Sequence, residues 1–367
     1  MDAGALSVLM TTDTVGGVWT YAIELSRALQ RRGAHVTLAA IGRTSAEQRR
    51  AAAGLAIAER DFRLEWMHDP WDDVRASGEW LLDVCAQARP EAIHLNGYAH
   101  AALPWPSPPL VVGHSCVLSW FDAVRGEPAP PQFDLYRREV MRGLRAAGLV
   151  VAPTYAMLRA LDRFYGPLPR ARAIWNARDA RLFTPVEKER LVLAAGRLWD
   201  EAKNLRVLDE AAAESPWPVY VAGDAQHPDG GAASATNVRH LGPLAPEALA
   251  TWMAHAPIYA SPALYEPFGL SVLEAALCGC ALILGDIPSL RELWTGMAVF
   301  VDPRDPSAVA GAIRRLATDD AERGRLAELA RARALQLDPD VMAAQYLSAY
   351  AALARGRSRP LPVEAVA

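Results

Sequence analysis

The residue types best suited to chemistry stand in the second half of the chain: Arg197, Lys203, Glu266 and Glu274. Arg197 and Lys203 follow Gly196 at the exit of an apolar run, LVLAAG, that reads as a strand. Two cations converging at a strand's carboxyl end suit a diphosphate, the arginine as a planar fork and the lysine as a compact point charge. The chain has only two lysines, Lys188 and Lys203, and all its other basic residues are arginine. That bias argues against an incidental surface cation at 203, although a solvated pair beside Asp200 and Glu201 is the ordinary alternative.

Glu266 and Glu274 lie eight residues apart in SPALYEPFGLSVLEAALCG, residues 261–279. Only Glu274 falls on the predicted helix, 270–278, so helical spacing does not fix their separation. They are not assumed to be the paired carboxylates of a glycosidase. Ser271-Val-Leu-Glu274 matches a capping box, a plain helix-start role for Glu274, and Glu266 reads equally as an exposed loop acid. Against both stands their place beyond a strand's carboxyl end, where amides of Phe268, Gly269, Leu270 and Ser271 at a helix start can hold phosphate.

Two weaker signals lie in the first half. Gly16-Gly17 separates a strand from a helix, which suits phosphate approach or a plain tight turn; neither GxGxxG nor GxxxxGK[ST] is present. His114 closes the run LVVG beside Ser115 and Cys116, with no GxSxG elbow to make a nucleophile triad. Its imidazole suits a sugar hydroxyl or a phosphate, or else lines a wall. His94 reads as core, and His100 in a loop has no assignment.

The elements that must carry these residues alternate strand and helix. A strand at 6–10, a glycine loop at 11–17 and a helix at 18–31 open the chain. Val18, Tyr21, Ala22, Leu25, Ala28 and Leu29 recur on one helix face. Gly33 stops that helix and 35–40 alternates as the next strand, a βαβ unit whose handedness implies a parallel sheet. Strands at 92–95, 110–113 and 149–152 follow. A helix at 137–147 bears Arg137, Arg138, Arg142 and Arg145.

Periodicity lapses around 176–189, the expected linker. Six further strands follow, at 191–195, 219–222, 238–241, 258–261, 281–284 and 298–301, with helices between them. The expected division is 1–178 for the first domain and 186–338 for the second. The last helix, about 340–354, is expected to return to the first domain, with a frayed tail from Arg355 on. Such α/β domains bind ligands outside the carboxyl ends of their strands.

Composition narrows the partners. At 367 residues the chain is too long for one ordinary domain. Acidic residues outnumber basic by 42 to 38, a net charge of −4, which argues against a duplex nucleic acid partner. The four cysteines, 85, 116, 278 and 280, form no CxxC pair or zinc spacing; Cys278 and Cys280 read as reduced, small apolar side chains at a helix end and the next strand. No structural zinc site is expected. No apolar stretch reaches the ~20 residues of a spanning helix, and MDAGALSVLMTT reads as a strand rather than a signal peptide. The expected location is cytoplasmic, with peripheral contact at the inner face of a membrane left open.

Together the motifs resemble the retaining GT-B glycosyltransferases of family 4. Glu266-Pro-Phe-Gly-Leu-Ser-Val-Leu-Glu274 matches the family's E-x7-E segment with its central PFGL. Asn176-Ala-Arg-Asp179, followed by Phe183 and Pro185, resembles its N-G-[VI]-D…F-x-P segment. Gly196-Arg-Leu with the following lysine resembles its G-R-L segment, and Val15-Gly-Gly-Val18 its first glycine loop. Ala177 stands in place of a glycine, Gly279-Cys-Ala281 in place of Gly-x-Pro, and Lys203 comes one residue later than usual, as though reached through a bulged loop.

The resemblance, over about residues 6–335, implies two Rossmann-like parallel α/β domains facing across a cleft. It implies a nucleoside-diphosphate sugar as donor substrate, with no metal and no permanently bound cofactor. Glu274 would accept from ribose hydroxyls and Glu266 from the sugar's. Arg197 and Lys203 would neutralise the diphosphate, with amides at Gly16, Gly17, Phe268, Gly269, Leu270 and Ser271 beside it. His114 would touch the sugar from the first domain, and domain closure would exclude water. The acceptor is unassigned: a glycan, a lipid-linked sugar or a small glycoside. Trp105, Trp120 and the proline-rich loops of the first domain are candidates to stack on it, and the arginines of 137–145 to meet anionic lipid. Oligomeric state is not read. The alternatives are a sugar-nucleotide epimerase or phosphorylase-like enzyme on the same architecture, which the PFGL-containing E-x7-E disfavours, and a binding protein without turnover, which the intact Arg197, Lys203, Glu266 and Glu274 disfavour.

Overall fold

The computed structural model describes residues 5–168, 170–226 and 235–355. It divides into two compact units. One holds the chain up to Asp122, Gly126–Asn176 and the segment from Pro339 on; the other holds Ala123–Arg125 and Ala177–Asp338.

The first unit opens with β1 (Ser7–Asp13), α1 (Gly17–Arg31), β2 (His35–Ile41), α2 (Ala46–Ala51), β3 (Ala56–Arg60), α3 (Trp71–Ala88) and β4 (Ala92–Leu95). It continues through β5 (Leu110–Val112), α4 (Val117–Arg125), α5 (Asp134–Ala146), β6 (Leu149–Ala152), α6 (Tyr155–Tyr165) and β7 (Ala171–Ala173). Its seven strands lie in the order β3-β2-β1-β4-β5-β6-β7, all neighbours parallel. The chain leaves β1 toward β2 and β3, then crosses to β4 on the other side. That reversal makes β1/β4 the switch point, where a parallel sheet opens a crevice beyond its strand ends. Central strands buried on both faces explain continuous apolar runs such as LVV at 110–112. Leu9, Leu81, Ile93, Val111, Val140 and Leu161 anchor the core on one face.

The second unit holds β8 (Val192–Ala195), α7 (Leu205–Ala212), β9 (Val219–Ala222), β10 (Arg239–Gly242), α8 (Pro246–His255), β11 (Ile258–Ser261) and α9 (Leu270–Leu277). It ends with β12 (Ala281–Gly285), α10 (Pro288–Trp294), β13 (Ala298–Val301), α11 (Pro306–Thr318) and α12 (Asp320–Ala334). Its sheet order is β10-β9-β8-β11-β12-β13, again parallel throughout, with the switch point at β8/β11. The final helix, α13 (Pro339–Arg355), belongs to the first unit and packs on α1, with Tyr346 fully buried.

Some elements escape the pattern of the sequence. β1 runs through Asp13 rather than stopping near 10, because β2 pairs with it residue for residue from Ser7↔His35 to Asp13↔Ile41. β3 (AIAER) is a half-exposed edge strand and β7 (ARA) is three residues long, so neither shows a clear alternation. The tail beyond Arg355 lies outside the described residues. Among the described residues no helix is long and apolar enough to cross a membrane.

Candidate active site

At the β8/β11 switch point the structure brings Lys203 and Glu266 together. Lys203 Nζ lies 2.5 Å from Glu266 Oε2, with the side chains 21% and 13% exposed. Each reaches there for a local reason. The extra residue between Arg197 and Lys203 is taken up in a 3-10 turn, Glu201–Lys203. Asp200 caps that turn by accepting from the Ala202 amide. The turn ends on Asn204 at φ 59, whose amide donates to the carbonyls of Pro262 (2.8 Å) and Pro303 (2.5 Å). The lysine stem then lies across Gly196, where a Cβ would stand 3.3 Å from Lys203 Cδ. Glycine keeps that track open. The Ser289 hydroxyl donates to the Glu266 carbonyl and holds the loop from the other side.

Arg197 is placed differently. Its guanidinium donates to Asp200 Oδ2 at 2.9 Å, rests over the Trp199 ring at 5.3 Å and stays 43% exposed. It remains at the mouth of the same strand end.

Helix α9 starts after Gly269, which adopts φ +87, and no side chain caps its amides. Leu270 is therefore the first helical residue and Ser271 the second, so the capping box suggested by Ser271 and Glu274 does not form. Ser271 is bonded instead to the Tyr259 hydroxyl, which also donates to the Ala195 carbonyl at 3.1 Å. Phe268 is buried and anchors the turn. The open amides at Leu270 and Ser271 and the helix dipole favour an anion.

Glu274 is held by a residue that sequence reasoning missed. Arg178 Nε stands 2.8 Å from Glu274 Oε1, both side chains largely enclosed at 11% and 14% exposure. The Nε–H itself is not aligned on Oε1. The Phe183 ring lies under the guanidinium at 5.2 Å. The only signal available was position: Arg178 replaces the apolar residue of the N-x-x-D segment.

In the first unit, Gly16 (φ 76) precedes α1, and Gly17 is its first residue. The α1 amides carry no side-chain cap, and Asp13 Oδ1 accepts from Val15 N at 2.9 Å just outside. His114 follows β5 and contacts Asn96 Oδ1 through Nε2 at 2.8 Å, with its ring edge-on to Tyr21. Burial lowers it to about 3. Part of the residue stays open to the surface, and the consequence that matters is the direction, a neutral imidazole at pH 7. His94 is fully buried, as its strand position implied. His100 is tied to Ser77 and the Val74 carbonyl, a structural role.

Two features bear on an acceptor. A cavity of about 360 Å³ opens beyond β1, β2 and β3, with Ile41, Phe62 and Met67 as apolar walls and the loosely paired Arg43–Asp61 and Arg63–Asp73 beside them. Trp105 is partly buried against the core, its indole N–H on the His100 carbonyl at 2.8 Å.

The sequence profile of Glycosyltransferase Family 4 matches residues 15–182, and that of Glycosyl transferases group 1 matches 189–319. A D-inositol 3-phosphate glycosyltransferase of Xylanimonas cellulosilytica is 28% identical over 94% of both chains. An O-antigen chain mannosyltransferase B of Escherichia coli is 35% identical over 27% of this chain and 25% of its own. The fold is shared with sucrose-phosphate synthase of Thermosynechococcus elongatus (TM-score 0.76, 20% identity, 95% of this chain and 99% of that one). It is shared also with Anabaena Alr3699/HepE, solved with UDP-glucose (TM-score 0.74, 19% identity, 95% and 100%). With two parallel α/β units and matched profiles over both, the chain belongs to the family 4 glycosyltransferases of GT-B fold, enzymes that transfer a sugar from a nucleoside-diphosphate sugar.

Proposed function

We propose that the transfer proceeds with retention and that the second unit holds the donor. Lys203, Arg197 and the α9 amides take the diphosphate, Glu274 the ribose hydroxyls and Glu266 the hydroxyls of the sugar. The observation that carries this reading is the Lys203–Glu266 pair at the β8/β11 switch point. An ammonium has three donors; one serves Glu266 and two remain for phosphate oxygens. As the bond from the anomeric carbon to the diphosphate breaks, negative charge collects on the leaving oxygens, where cations and amides already in place lower the barrier. The acceptor oxygen bonds to the anomeric carbon on the same face, and its proton passes to a diphosphate oxygen. His114, with the amides of Gly16 and of Gly17 at the start of α1, is assigned to the donor in the first unit.

The acceptor is a glycan, a lipid-linked sugar or a small glycoside, with the cavity beyond β1–β3 as its proposed seat. The exposed arginines of α5, Arg137, Arg138 and Arg145, support a membrane surface as the place where a lipid-linked acceptor is met, which co-sedimentation with anionic vesicles tests.

The deciding experiment is a thermal-shift panel of UDP, GDP, ADP and their sugars, with and without EDTA. The uridine nucleotides come first because the Anabaena protein of the same fold was solved with UDP-glucose. One diphosphate should raise the melting temperature equally with and without chelator. Failure of every nucleotide, or strict dependence on a divalent cation, overturns the proposal. A donor-hydrolysis assay with candidate acceptors then separates a transferase from a binding protein.

A further inference from the structure

A hydrogen-bonded chain runs through the first unit from α13 to His114. Tyr350 Oη lies 2.6 Å from His94 Nδ1. His94 Nε2 lies 3.3 Å from Asn96 Oδ1, and the same oxygen is 2.8 Å from His114 Nε2. Asn96 follows β4 at the β1/β4 switch point and is tied to β1 twice. Its backbone N–H donates to Thr11 Oγ1 at 2.8 Å, and its Nδ2 donates to the Thr11 carbonyl at 2.7 Å.

That last bond fixes the direction of the contact to His114. A backbone carbonyl only accepts, so the amide cannot be turned over, and the atom facing the histidines is the oxygen. His114, at 2.8 Å, must then present Nε2–H to it. His94 Nε2 is shared between that oxygen and the Tyr21 hydroxyl, each at 3.3 Å, and its Nδ1 faces the Tyr350 hydroxyl at 2.6 Å, so its tautomer follows how the two tyrosines orient their protons. For His114, the lone pair on Nδ1 has no protein partner among the described residues and is not sealed off.

We infer that Asn96 is a positioning residue: it fixes His114 as the Nε2–H tautomer, so that Nδ1 accepts a hydrogen bond from a hydroxyl of the transferred sugar. Tyr350 of α13 and Tyr21 of α1 hold the His94 ring in place beside it. The inference rests on the role given to His114 above, and it adds the orientation and polarity of that contact.

The surroundings support a neutral ring. Tyr21 of α1 meets His114 edge-on at 4.6 Å, and His94 and Asn96 face it from β4 and its end. Tyr346 and Tyr350 of α13 pack on His94. None of these carries a charge at pH 7, and burial lowers both histidines to about 3. An imidazolium would present two donors and no acceptor, inverting the contact.

The test begins with the intact protein labelled with ¹⁵N-histidine. Long-range ¹H–¹⁵N correlation should give His114 as the Nε2–H form, unchanged from pH 8 to about pH 5. A Nδ1–H form overturns the inference without any variant and without reference to activity. Asn96→Asp then places a carboxylate against Nε2 and should draw a proton onto His114. Transfer from the nucleotide sugar selected by the thermal-shift panel should fall at least ~10-fold at pH 7 and recover as pH rises. The wild type should stay flat over that range, and nucleoside-diphosphate affinity should be unchanged. Loss of activity in N96D that does not recover with pH points to a merely structural asparagine and overturns the inference. Should N96D not fold, Asn96→Ala reports the same point by NMR: His114 should become a mixture of tautomers, and an unchanged Nε2–H spectrum counts against the role. If the wild type itself uses no nucleotide sugar, the proposed function fails while the tautomer result still stands on its own.

Discussion

Lys203 Nζ and Glu266 Oε2 stand 2.5 Å apart, 63 residues apart in sequence, so the residues assigned to the diphosphate and to the sugar are each other's partner. A largely enclosed pair tolerates loss of one member poorly, because the survivor is left uncompensated. The two halves of the pair nevertheless predict different phenotypes.

Glu266→Ala should keep or slightly raise nucleoside-diphosphate affinity, since it frees a third Lys203 donor. Transfer should fall on the order of 10²-fold or more, about 3 kcal/mol, through loss of the sugar's orientation. Lys203→Ala should weaken the diphosphate by about 1–3 kcal/mol and lower transfer as well. Titration calorimetry beside single-turnover transfer separates the two. Equal loss of diphosphate binding in both variants would contradict the assignment.

Arg178 and Glu274 give a second test. If Glu274 holds ribose, Glu274→Gln should weaken free nucleotide and nucleotide sugar alike, while Arg178→Ala should mimic it by releasing the carboxylate from its place. Both should also lower stability, R178A by about 3 kcal/mol, because an enclosed charge loses its partner. A given nucleotide concentration should raise the melting temperature of the wild type and raise that of E274Q much less. A stability loss with unchanged nucleotide affinity would reduce the pair to a structural contact.

The strand ends, the E-x7-E segment and the glycine loops were legible because parallel strands buried on both faces leave apolar runs, and their exits carry the polar residues. What stayed hidden depends on tertiary contact. Nothing near Arg178 announces a glutamate 96 residues on, and nothing in AIHLN announces that Asn96 will face two histidines. The apparent capping box misled for a local reason: Gly269 in the left-handed region starts the helix one residue before Ser271, so the serine lies within it. The proline-rich loop likewise does not announce that the Trp105 indole N–H rests on the His100 carbonyl.

Lys188, the other lysine, donates to three backbone carbonyls: Ala254 (2.8 Å) and Ala256 (3.0 Å) at the end of α8, and Cys278 (2.7 Å) at the end of α9. Three divergent donors on one atom match this arrangement, and a planar guanidinium does not. Lys188→Met should cost roughly 2–4 kcal/mol by leaving those carbonyls unpaired, read as a melting temperature lower by about 5–10 °C. Lys188→Arg should fall between. Since α9 carries Glu274, nucleotide affinity should weaken in parallel; intact stability in K188M would remove the argument.

His94 supplies the pH prediction. Burial lowers it to about 3, from about 6.5 when unfolded, and its ring lies among the uncharged Tyr21, Asn96, His114, Tyr346 and Tyr350. Between those values the unfolded chain binds a proton that the native state refuses, so stability falls as pH drops below about 6.5. By pH 5 the loss from this one residue is about 2 kcal/mol. Glu65 acts in the opposite sense, since burial raises it despite amides donated by Tyr98 and Ala99; the native state there binds its proton more readily, adding stability as pH falls toward 4.5. A difference measurement removes that background. His94→Gln should lower stability at pH 7.5, where its bonds to Tyr350 and Asn96 are lost, yet show a shallower decline between pH 7.5 and 5 in urea midpoint. Parallel declines in the two proteins would mean that His94 takes up its proton in the folded state, and the neutral network around Asn96 would then be wrong.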